Sequence, residues 1–314
     1  MTLAAAPLLL GVDVGGTKVQ VALARPDGTV VDRRTGPTRA ADGAEQVVAR
    51  AADLARQLLT ARAGRLVAVG AVCPGVPGPD GVLLAPTIDG WEDLRFADAL
   101  RQRLGRLVGP GVPVAVGNDV KAGAASEAAS GALVGSRCGV YLNLGTGLAL
   151  AVVVDGVVLC GAHGVAGEIA YQLVAPGTPG ARDGRAPLEE AVSGRVLDDR
   201  AAAAAGRRTT GVEVLLGDDV ALRESLEPAL ALLDLALVNA CCLLDPDVVV
   251  VAGGLVRAGD VLLPRLRRAL ERGVPVPPVV VPAHRPYDAP LHGALLLAER
   301  ALGEHAPAVL EEPA

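Results

Sequence analysis

The sequence predicts an α/β protein with two domains around a central cleft. A strand–turn–strand unit rich in glycine and threonine occurs twice in the 314 residues, once near the N-terminus and once near the middle. Elsewhere, short apolar runs alternate with longer segments of helical periodicity, a pattern typical of sheets covered by helices. Hydrophobic residues make up 51% of the chain and charged residues 20%, which is sufficient for a large core.

The first of these strand–turn–strand hairpins predicts a phosphate-binding loop. Asp13 lies at the end of an apolar strand, and Gly15-Gly16-Thr17-Lys18 follows it before a second apolar strand. Glycines let backbone N–H groups approach anionic oxygens because no Cβ stands in the way. Thr17 adds a hydroxyl donor and Lys18 adds positive charge. Asp13 is placed to hold Mg²⁺, directly or through water, since Mg²⁺ prefers oxygen ligands.

The second hairpin repeats this pattern, with Gly145-Thr146-Gly147 as its turn. In both copies an Asp-Gly turn follows the second strand, at 27–28 and at 155–156. Two such loops facing each other across a cleft can hold a polyphosphate from both sides, which favours an ATP-using phosphotransferase. Two ordinary glycine-rich hairpins are the alternative interpretation.

Two commoner phosphate motifs do not fit the first hairpin. Thr17 precedes Lys18, whereas a Walker A loop needs lysine before serine or threonine, and a strand follows where a Walker loop opens a helix. The dinucleotide pattern Gly-x-Gly-x-x-Gly is absent after the first strand.

Composition argues against several classes of partner. The net charge is −6 and aromatic residues are 2% of the chain, which disfavours nucleic acid and anionic membranes. No uninterrupted apolar stretch reaches about 18 residues, so no membrane span is expected. Residues 1–10 lack Lys and Arg, so no signal peptide is expected. Five cysteines without a Cys-x-x-Cys pair favour a cytoplasmic location.

Periodicity and turn residues predict the remaining elements. Helices are expected at 43–63, 95–104, 120–129, 188–192, 194–205, 212–216, 221–244, 259–272 and 290–302, and buried strands at 66–73, 112–116 and 247–252. The strand at 112–116 delivers Asn118 and Asp119 at its carboxyl end, where open α/β sheets bind ligands. Asp119 is therefore a candidate catalytic residue, and an N-cap of the following helix is its alternative role.

In this order, the motifs resemble those of the ROK family of bacterial sugar kinases and sugar-responsive repressors, within the actin/hexokinase superfamily. The resemblance covers nearly the whole chain. Asp13 to Thr17 and Gly145 to Gly147 resemble the two phosphate motifs, and residues 244–254, ending in Gly253-Gly254, resemble the adenosine segment. Asn118-Asp119 resembles the catalytic pair, and Gly167-Glu168-Ile169 the start of the sugar signature. Leu188-Glu189 with Ser193-Gly194 resembles the second sugar-binding glutamate segment.

The resemblance implies an actin-like ATPase (ribonuclease H-like) fold. A small domain would comprise residues 1–117 and 290–314, and a large domain residues 118–289. It implies ATP-dependent phosphorylation of a sugar hydroxyl with Mg²⁺, with Asp119 as general base and Asn118, Glu168 and Glu189 on the sugar, in a homodimer. Family repressors carry an N-terminal helix-turn-helix, and a phosphate motif within a dozen residues of Met1 favours a kinase. A non-catalytic sugar-binding regulator is the alternative.

The chain departs from the family pattern at the sugar signature and at the zinc loop. Tyr171 stands where the family has a histidine that binds sugar and zinc. Gly180, Arg182 and Pro187 stand at the zinc-loop cysteines, so no zinc is expected. Thr87 replaces an asparagine of the substrate loop. With Thr87 and Tyr171 in the substrate site, the expected substrate is glucose, an amino sugar such as 3-amino-glucose, or a cyclitol. The alternative role of Tyr171 is that of a residue packed in the hydrophobic core.

Overall fold

The computed structural model describes residues 6–62, 64–85, 88–109 and 111–303, which form two compact units. The first unit contains the described residues up to Ser126 and those from Asp288 onward, and the second is Glu127–Tyr287. The sequence motifs predict a division after residues 117 and 289 instead. The division differs because β7 (Val114–Asn118) runs directly into α3 (Asp119–Ser130), so Asn118 and Asp119 stay with the first unit.

The first unit is built on a five-stranded sheet. Its strands are β1 (Pro7–Val14), β2 (Lys18–Ala24), β3 (Val30–Pro37), β4 (Arg65–Cys73) and β7, in the order β3-β2-β1-β4-β7. The strands β1, β2 and β3 form an antiparallel meander, whereas β4 and β7 lie parallel to β1. A short hairpin of β5 (Val76–Pro77) and β6 (Val82–Leu83) follows β4.

Helices cover both faces of this sheet. Alternate residues of β1, among them Val12 and Val14, pack against α1 (Ala44–Ala61) and α2 (Phe96–Leu104). Leu9 lies on the opposite face and packs against α9 (Ala289–Leu302). Because side chains alternate along a strand, Asp13 shares the α9 face with Leu9.

The second unit repeats the topology of the first. Its strands are β8 (Cys138–Leu144), β9 (Leu148–Val154), β10 (Val157–Val158), β11 (Val248–Ala252) and β12 (Val279–Pro282), in the order β10-β9-β8-β11-β12. Again an antiparallel meander is followed by two parallel strands. The helices are α4 (Pro187–Ala191), α5 (Gly194–Ala205), α6 (Gly211–Leu216), α7 (Val220–Leu244) and α8 (Gly259–Gly273).

Within the described residues, α7 is the one helix long and apolar enough to span a membrane by length and composition. This is weak evidence for a span, because the core helix of a soluble protein passes the same test. Leu226, Leu230, Leu233 and Leu237 of α7 are buried in the core of the second unit, together with β8 and β11.

The fold confirms the predicted α/β class. Every helix predicted from the sequence is present, with both ends within two residues of the predicted positions. The strand β12 was not predicted, because Pro277, Pro278 and Pro282 surround its three valines. Proline is tolerated there since β12 is an edge strand, paired with β11 alone.

Candidate active site

Three parallel strands of the first unit bring polar side chains to one edge of the sheet. Asp13 of β1 pairs with Val72 of β4, and Cys73 of β4 pairs with Asn118 of β7. The Cys73 thiol is fully buried, and burial raises its pKa well above the usual value; the charges of Asp119 and Asp13 raise it further. Both carboxylates therefore lie near this thiol, and the structure brings Asp13, Asn118 and Asp119 together.

Asn118, and not Asp119, is the N-cap of α3. The Asn118 Oδ1 atom accepts a hydrogen bond from the backbone N–H of Lys121 at 2.9 Å, and its Nδ2 donates to the carbonyl of Gly75 at 2.8 Å. Asp119 Oδ1 accepts the N–H of Val120 at 2.9 Å. The capping role considered for Asp119 thus belongs to its neighbour. The Asp119 carboxylate lies in the first helical turn, where the helix dipole stabilises a negative charge.

The first phosphate loop is fixed by hydrogen bonds to its own backbone and to Thr38. Gly15 N–H donates to the carbonyl of Lys18 at 2.9 Å. The buried Thr38 donates its hydroxyl to the Gly15 carbonyl at 2.6 Å and its N–H to the Thr17 carbonyl at 3.0 Å. A Cβ built on Gly16 would meet no atom within 4 Å. The loop is therefore rigid where Thr38 holds it and open at Gly16, where an anion can approach.

Asp13 is 5% exposed, and burial raises its pKa to about 7. The positive charge of Lys18 lowers this pKa and the negative charge of Asp288 raises it, both less than burial does. Among the described residues, no hydrogen bond reaches the Asp13 carboxylate. Opposite Asp13 on β2 lies Gln20, whose Oε1 is buried and also lacks a donor. Buried oxygens without donors suit a hard cation, so the residues present fit Mg²⁺.

The second phosphate loop is held by the start of α5. Gly145 N–H donates to the carbonyl of Gly147 at 3.1 Å, which closes the turn. The carbonyls of Gly145 and Thr146 accept the N–H groups of Gly194 at 3.0 Å and Arg195 at 3.3 Å. A Cβ on Gly194 would lie 2.2 Å from the Gly145 carbonyl oxygen. Glycine is thus required where α5 touches the loop.

The glycine pair that follows β11 lies beside this loop. The strands β11 and β8 run parallel, with Ala252 opposite Asn143, so their carboxyl ends are neighbours. Gly253 has φ 89°, and a Cβ on it would lie 2.5 Å from the Leu144 carbonyl carbon. Gly254 begins a short 3₁₀ helix, Gly254–Ala258. The structure therefore brings the second phosphate loop and the candidate adenosine segment together.

The candidate sugar-binding residues of the second unit also lie close to one another. The 3₁₀ turn Ile169–Tyr171 packs against α4, which carries Glu189. Tyr171 is partly buried, and burial raises the pKa of its phenol, with smaller contributions from the negative charges of Glu168 and Glu189. The phenol therefore keeps its proton and can donate a hydrogen bond.

Glu189 has a contact that sequence reasoning missed. Its Oε2 accepts the N–H of Leu148 at 2.8 Å, and a Cβ on Gly147 would lie 2.5 Å from the same oxygen. Glu189 thus secures the end of the second phosphate loop, in addition to any contact with sugar. Gly147 gives the carboxylate room to do so.

The segment at the position of the family's zinc loop carries none of the cysteines of the family pattern. Gly180, Arg182 and Pro187 offer no thiolate, and the described residues contain no group of three or more His, Cys, Asp or Glu able to hold a metal. Instead, Glu190 accepts two bonds from Arg185 Nε at 2.9 and 2.8 Å and one from the N–H of Ala186 at 2.9 Å. These bonds tie the loop to α4. Thr87, predicted to contact substrate, lies outside the described residues.

Comparison with known proteins supports these assignments of fold. Residues 9–301 match the ROK family. A glucokinase of Halalkalibacterium halodurans is 28% identical over 83% of this chain and 84% of its own length. An N-acetylgalactosamine kinase of Shewanella is 29% identical over 85% of this chain and 89% of its own length. A Streptomyces griseus ROK family glucokinase, solved with glucose and AMPPNP, is 26% identical with a TM-score of 0.77 over 93% of this chain and 99% of its own.

The two units each contain a five-stranded sheet of the same topology with a glycine-rich loop at its strand ends, and together with the structural match they define an actin-like ATPase fold. Within this class, the match over residues 9–301 is decisive: the chain belongs to the ROK family. The resemblance read from the sequence motifs is thereby confirmed.

Proposed function

We propose that this protein transfers the γ-phosphate of ATP to a hydroxyl of a hexose-like sugar, with Asp119 as general base. That the chain is an ATP-dependent sugar kinase follows from its family and from the glucokinases and the N-acetylgalactosamine kinase among its relatives. The general base and the substrate class are the proposal.

In this mechanism each side chain has one task. Asp119 accepts the proton of the sugar hydroxyl as the hydroxyl oxygen attacks the γ-phosphorus in line, and ADP leaves. Glu168 and Glu189 accept hydrogen bonds from other sugar hydroxyls, since a carboxylate accepts several. Tyr171 donates its phenolic hydrogen to a sugar oxygen, and Asn118 uses the N–H that its bond to Gly75 leaves over.

The phosphates are bound by backbone. In the first unit the N–H groups of Gly16 and Thr17 approach phosphate oxygens, with Lys18 adding charge, while the Gly15 N–H closes the turn. In the second unit the N–H groups of Thr146 and Gly147 do the same while the Gly145 N–H closes the turn, and Gly253-Gly254 leaves space for the adenosine. Mg²⁺, when bound, neutralises phosphate charge, and Asp13 is the residue that would hold it, directly or through water.

The observation that carries the proposal is that Asn118 and Asp119 have different roles at the start of α3. Asn118 supplies the N-cap of α3, so Asp119 is not the capping residue. A carboxylate held at a strand end beside a phosphate loop is placed for proton transfer.

The test measures phosphate transfer from Mg·ATP to glucose, mannose, fructose, amino-glucoses, N-acetylated sugars and C7 cyclitols. Asp119→Asn, which should fold normally, is assayed alongside, and Asp98→Asn on the surface of α2 is the matched control. Turnover on one substrate class that is lost in Asp119→Asn alone supports the proposal. If sugars bind but none is phosphorylated, the protein is a sugar-binding regulator instead, the alternative that the intact phosphate motifs disfavour.

A further inference from the structure

The β1–β2 hairpin carries a polar pair that the proposed mechanism does not use in full. Asp13 and Gln20 are direct partners across the antiparallel strands. Directly opposite residues project to the same face, with Cβ atoms about 5 Å apart. Gln20 is 7% exposed and Asp13 is 5% exposed, and neither the Gln20 Oε1 nor the Asp13 carboxylate receives a hydrogen bond within the described part of the chain.

Leaving such oxygens without a donor is costly. A buried acceptor that loses its hydrogen bonds to water costs about 1–3 kcal/mol, and a charged one costs more. Native proteins seldom keep such groups without a reason. The buried Gln20 Oε1 has no donor and lies opposite a carboxylate, and this arrangement suits a positively charged ligand.

The corresponding hairpin of the second unit has no such pair. At the end of β8 the residue that corresponds to Asp13 is Asn143, and it lies opposite Ala149. The oxygen pair is therefore not a requirement of the hairpin itself. It is a feature of the first phosphate loop alone.

The charges around the pair are of both signs. Lys18 on β2 is a nearby positive group, and Asp288, which precedes α9, is a nearby negative one. Asp288 is itself approached by Arg33 Nη1 of β3 at 3.5 Å and by His292 Nε2 of α9 at 3.9 Å. The Cys73 thiol of β4 is neutral, because burial raises its pKa. Asp288 thus adds negative potential, while Arg33 offsets part of its charge.

We propose that Gln20 is a further residue of the magnesium site: its Oε1 faces the same cation, or the water bound to it, as the carboxylate of Asp13. This inference rests on the proposed function, because the cation is the one that accompanies the nucleotide. An amide oxygen is a suitable ligand for Mg²⁺, and one extra oxygen from the protein adds affinity without adding charge.

The experiment measures Mn²⁺ binding to the full chain with ADP, using the EPR signal of free Mn²⁺. Mn²⁺ stands in for Mg²⁺ because it takes the same oxygen ligands. Gln20→Met keeps the size of the side chain and removes the oxygen, and we expect the Mn²⁺ dissociation constant to rise about tenfold. Gln20→Glu restores an oxygen and should restore tight binding. Gln57→Met, on the exposed surface of α1, is the matched control and should bind as the wild type does.

Two results overturn the inference. One is a Gln20→Met protein that binds Mn²⁺ as tightly as the wild type. The other is an equal loss in Gln20→Met and Gln20→Glu, which indicates a packing role. Sugar phosphorylation by the wild type is measured in parallel. Absence of phosphorylation with intact Mn²⁺ and ADP binding rejects the proposed function alone. Normal phosphorylation with Mn²⁺ binding insensitive to Gln20→Met rejects the Gln20 role alone.

Discussion

The two units have one topology but present different chemistry at their strand ends. In the first unit the ends of β1 and β7 carry the side chains Asp13, Asn118 and Asp119. In the second unit the ends of β8 and β11 carry glycines, and the start of α5 adds another. The first edge carries acidic and amide side chains, whereas the second carries glycines that let neighbouring segments pack closely. The same sheet topology therefore carries different chemistry in the two units because of a few residues at the turns.

The sharpest way to test this comparison is to change one functional group of the first unit. Asp119→Asn should reduce kcat about 10³-fold, because the base is lost, and should leave the KM values for sugar and ATP nearly unchanged. Steady-state kinetics with thermal unfolding as a folding control will measure this. A variant that loses sugar affinity instead of kcat would show that Asp119 binds rather than reacts.

In the second unit, the corresponding change is steric. Gly194→Ala places a Cβ 2.2 Å from the Gly145 carbonyl oxygen, so the second phosphate loop has to move. We expect a loss of about 1–3 kcal/mol in the free energy of unfolding together with weaker ADP binding. Chemical denaturation and calorimetric titration measure the two effects.

Gly16→Ala in the first loop is the matched control for Gly194→Ala. Its Cβ would meet no atom within 4 Å, so the free energy of unfolding should not change. ADP affinity should fall if phosphate approaches the backbone at Gly16 as proposed. Equal destabilisation by the two substitutions would contradict the steric difference between the loops.

The raised pKa of Asp13 in the first unit predicts that stability depends on pH. Its pKa is about 7 in the folded state against 3.8 ordinarily, so the folded state retains a proton that the unfolded chain has lost between these values. The free energy of unfolding contributed by Asp13 therefore falls as pH rises from about 4 to about 7. The Asp13→Asn variant lacks this titrating group. Its free energy of unfolding relative to that of the wild type should therefore increase by up to about 4 kcal/mol as the pH rises from about 4 to about 7.

Urea denaturation of both proteins at several pH values, without nucleotide, checks this prediction. Asp27→Asn on the exposed turn after β2 is the control, because the pKa of Asp27 is lowered rather than raised. Parallel stability curves for wild type and Asp13→Asn would show that the buried carboxyl does not titrate as expected.

The cap of α3 predicts a smaller effect. Asn118→Ala removes the acceptor for the Lys121 N–H and should lower the free energy of unfolding by about 1 kcal/mol. Asn118→Asp retains an acceptor and should lose less. If Asn118→Ala and Asn118→Asp lower the free energy of unfolding equally, the hydrogen bond to the Gly75 carbonyl contributes more than the cap.

The smallest expected effect concerns the loop that replaces the zinc site. Arg185 and Glu190 are exposed to solvent, so water screens their ion pair and their coupling energy should be small. A double-mutant cycle with Arg185→Gln and Glu190→Gln, read as the free energy of unfolding, measures it. A large coupling energy would mean that the ion pair organises the second unit far more than its exposure suggests.

The sequence predicted both glycine-rich hairpins because glycine, threonine and the Asp-Gly turns are local signals. It did not predict the contacts of Thr38 or Gly194, because these contacts involve residues distant in the chain. That Asn118 rather than Asp119 caps α3 is also invisible in sequence, since both residue types are good caps. Glu189 was assigned to sugar, whereas its bond to Leu148 appears only once α4 is placed beside β9.

Trp91 is the single tryptophan of the chain and is fully buried in the first unit, with its ring centroid 5.4 Å from that of Phe96. Its indole neighbours the Cys73 thiol at the edge that carries Asp13 and Asn118. Tryptophan emission therefore reports on one half of the molecule only. An unfolding curve followed by fluorescence describes the first unit, whereas circular dichroism averages over both, so a disagreement between the two signals would reveal units that melt independently.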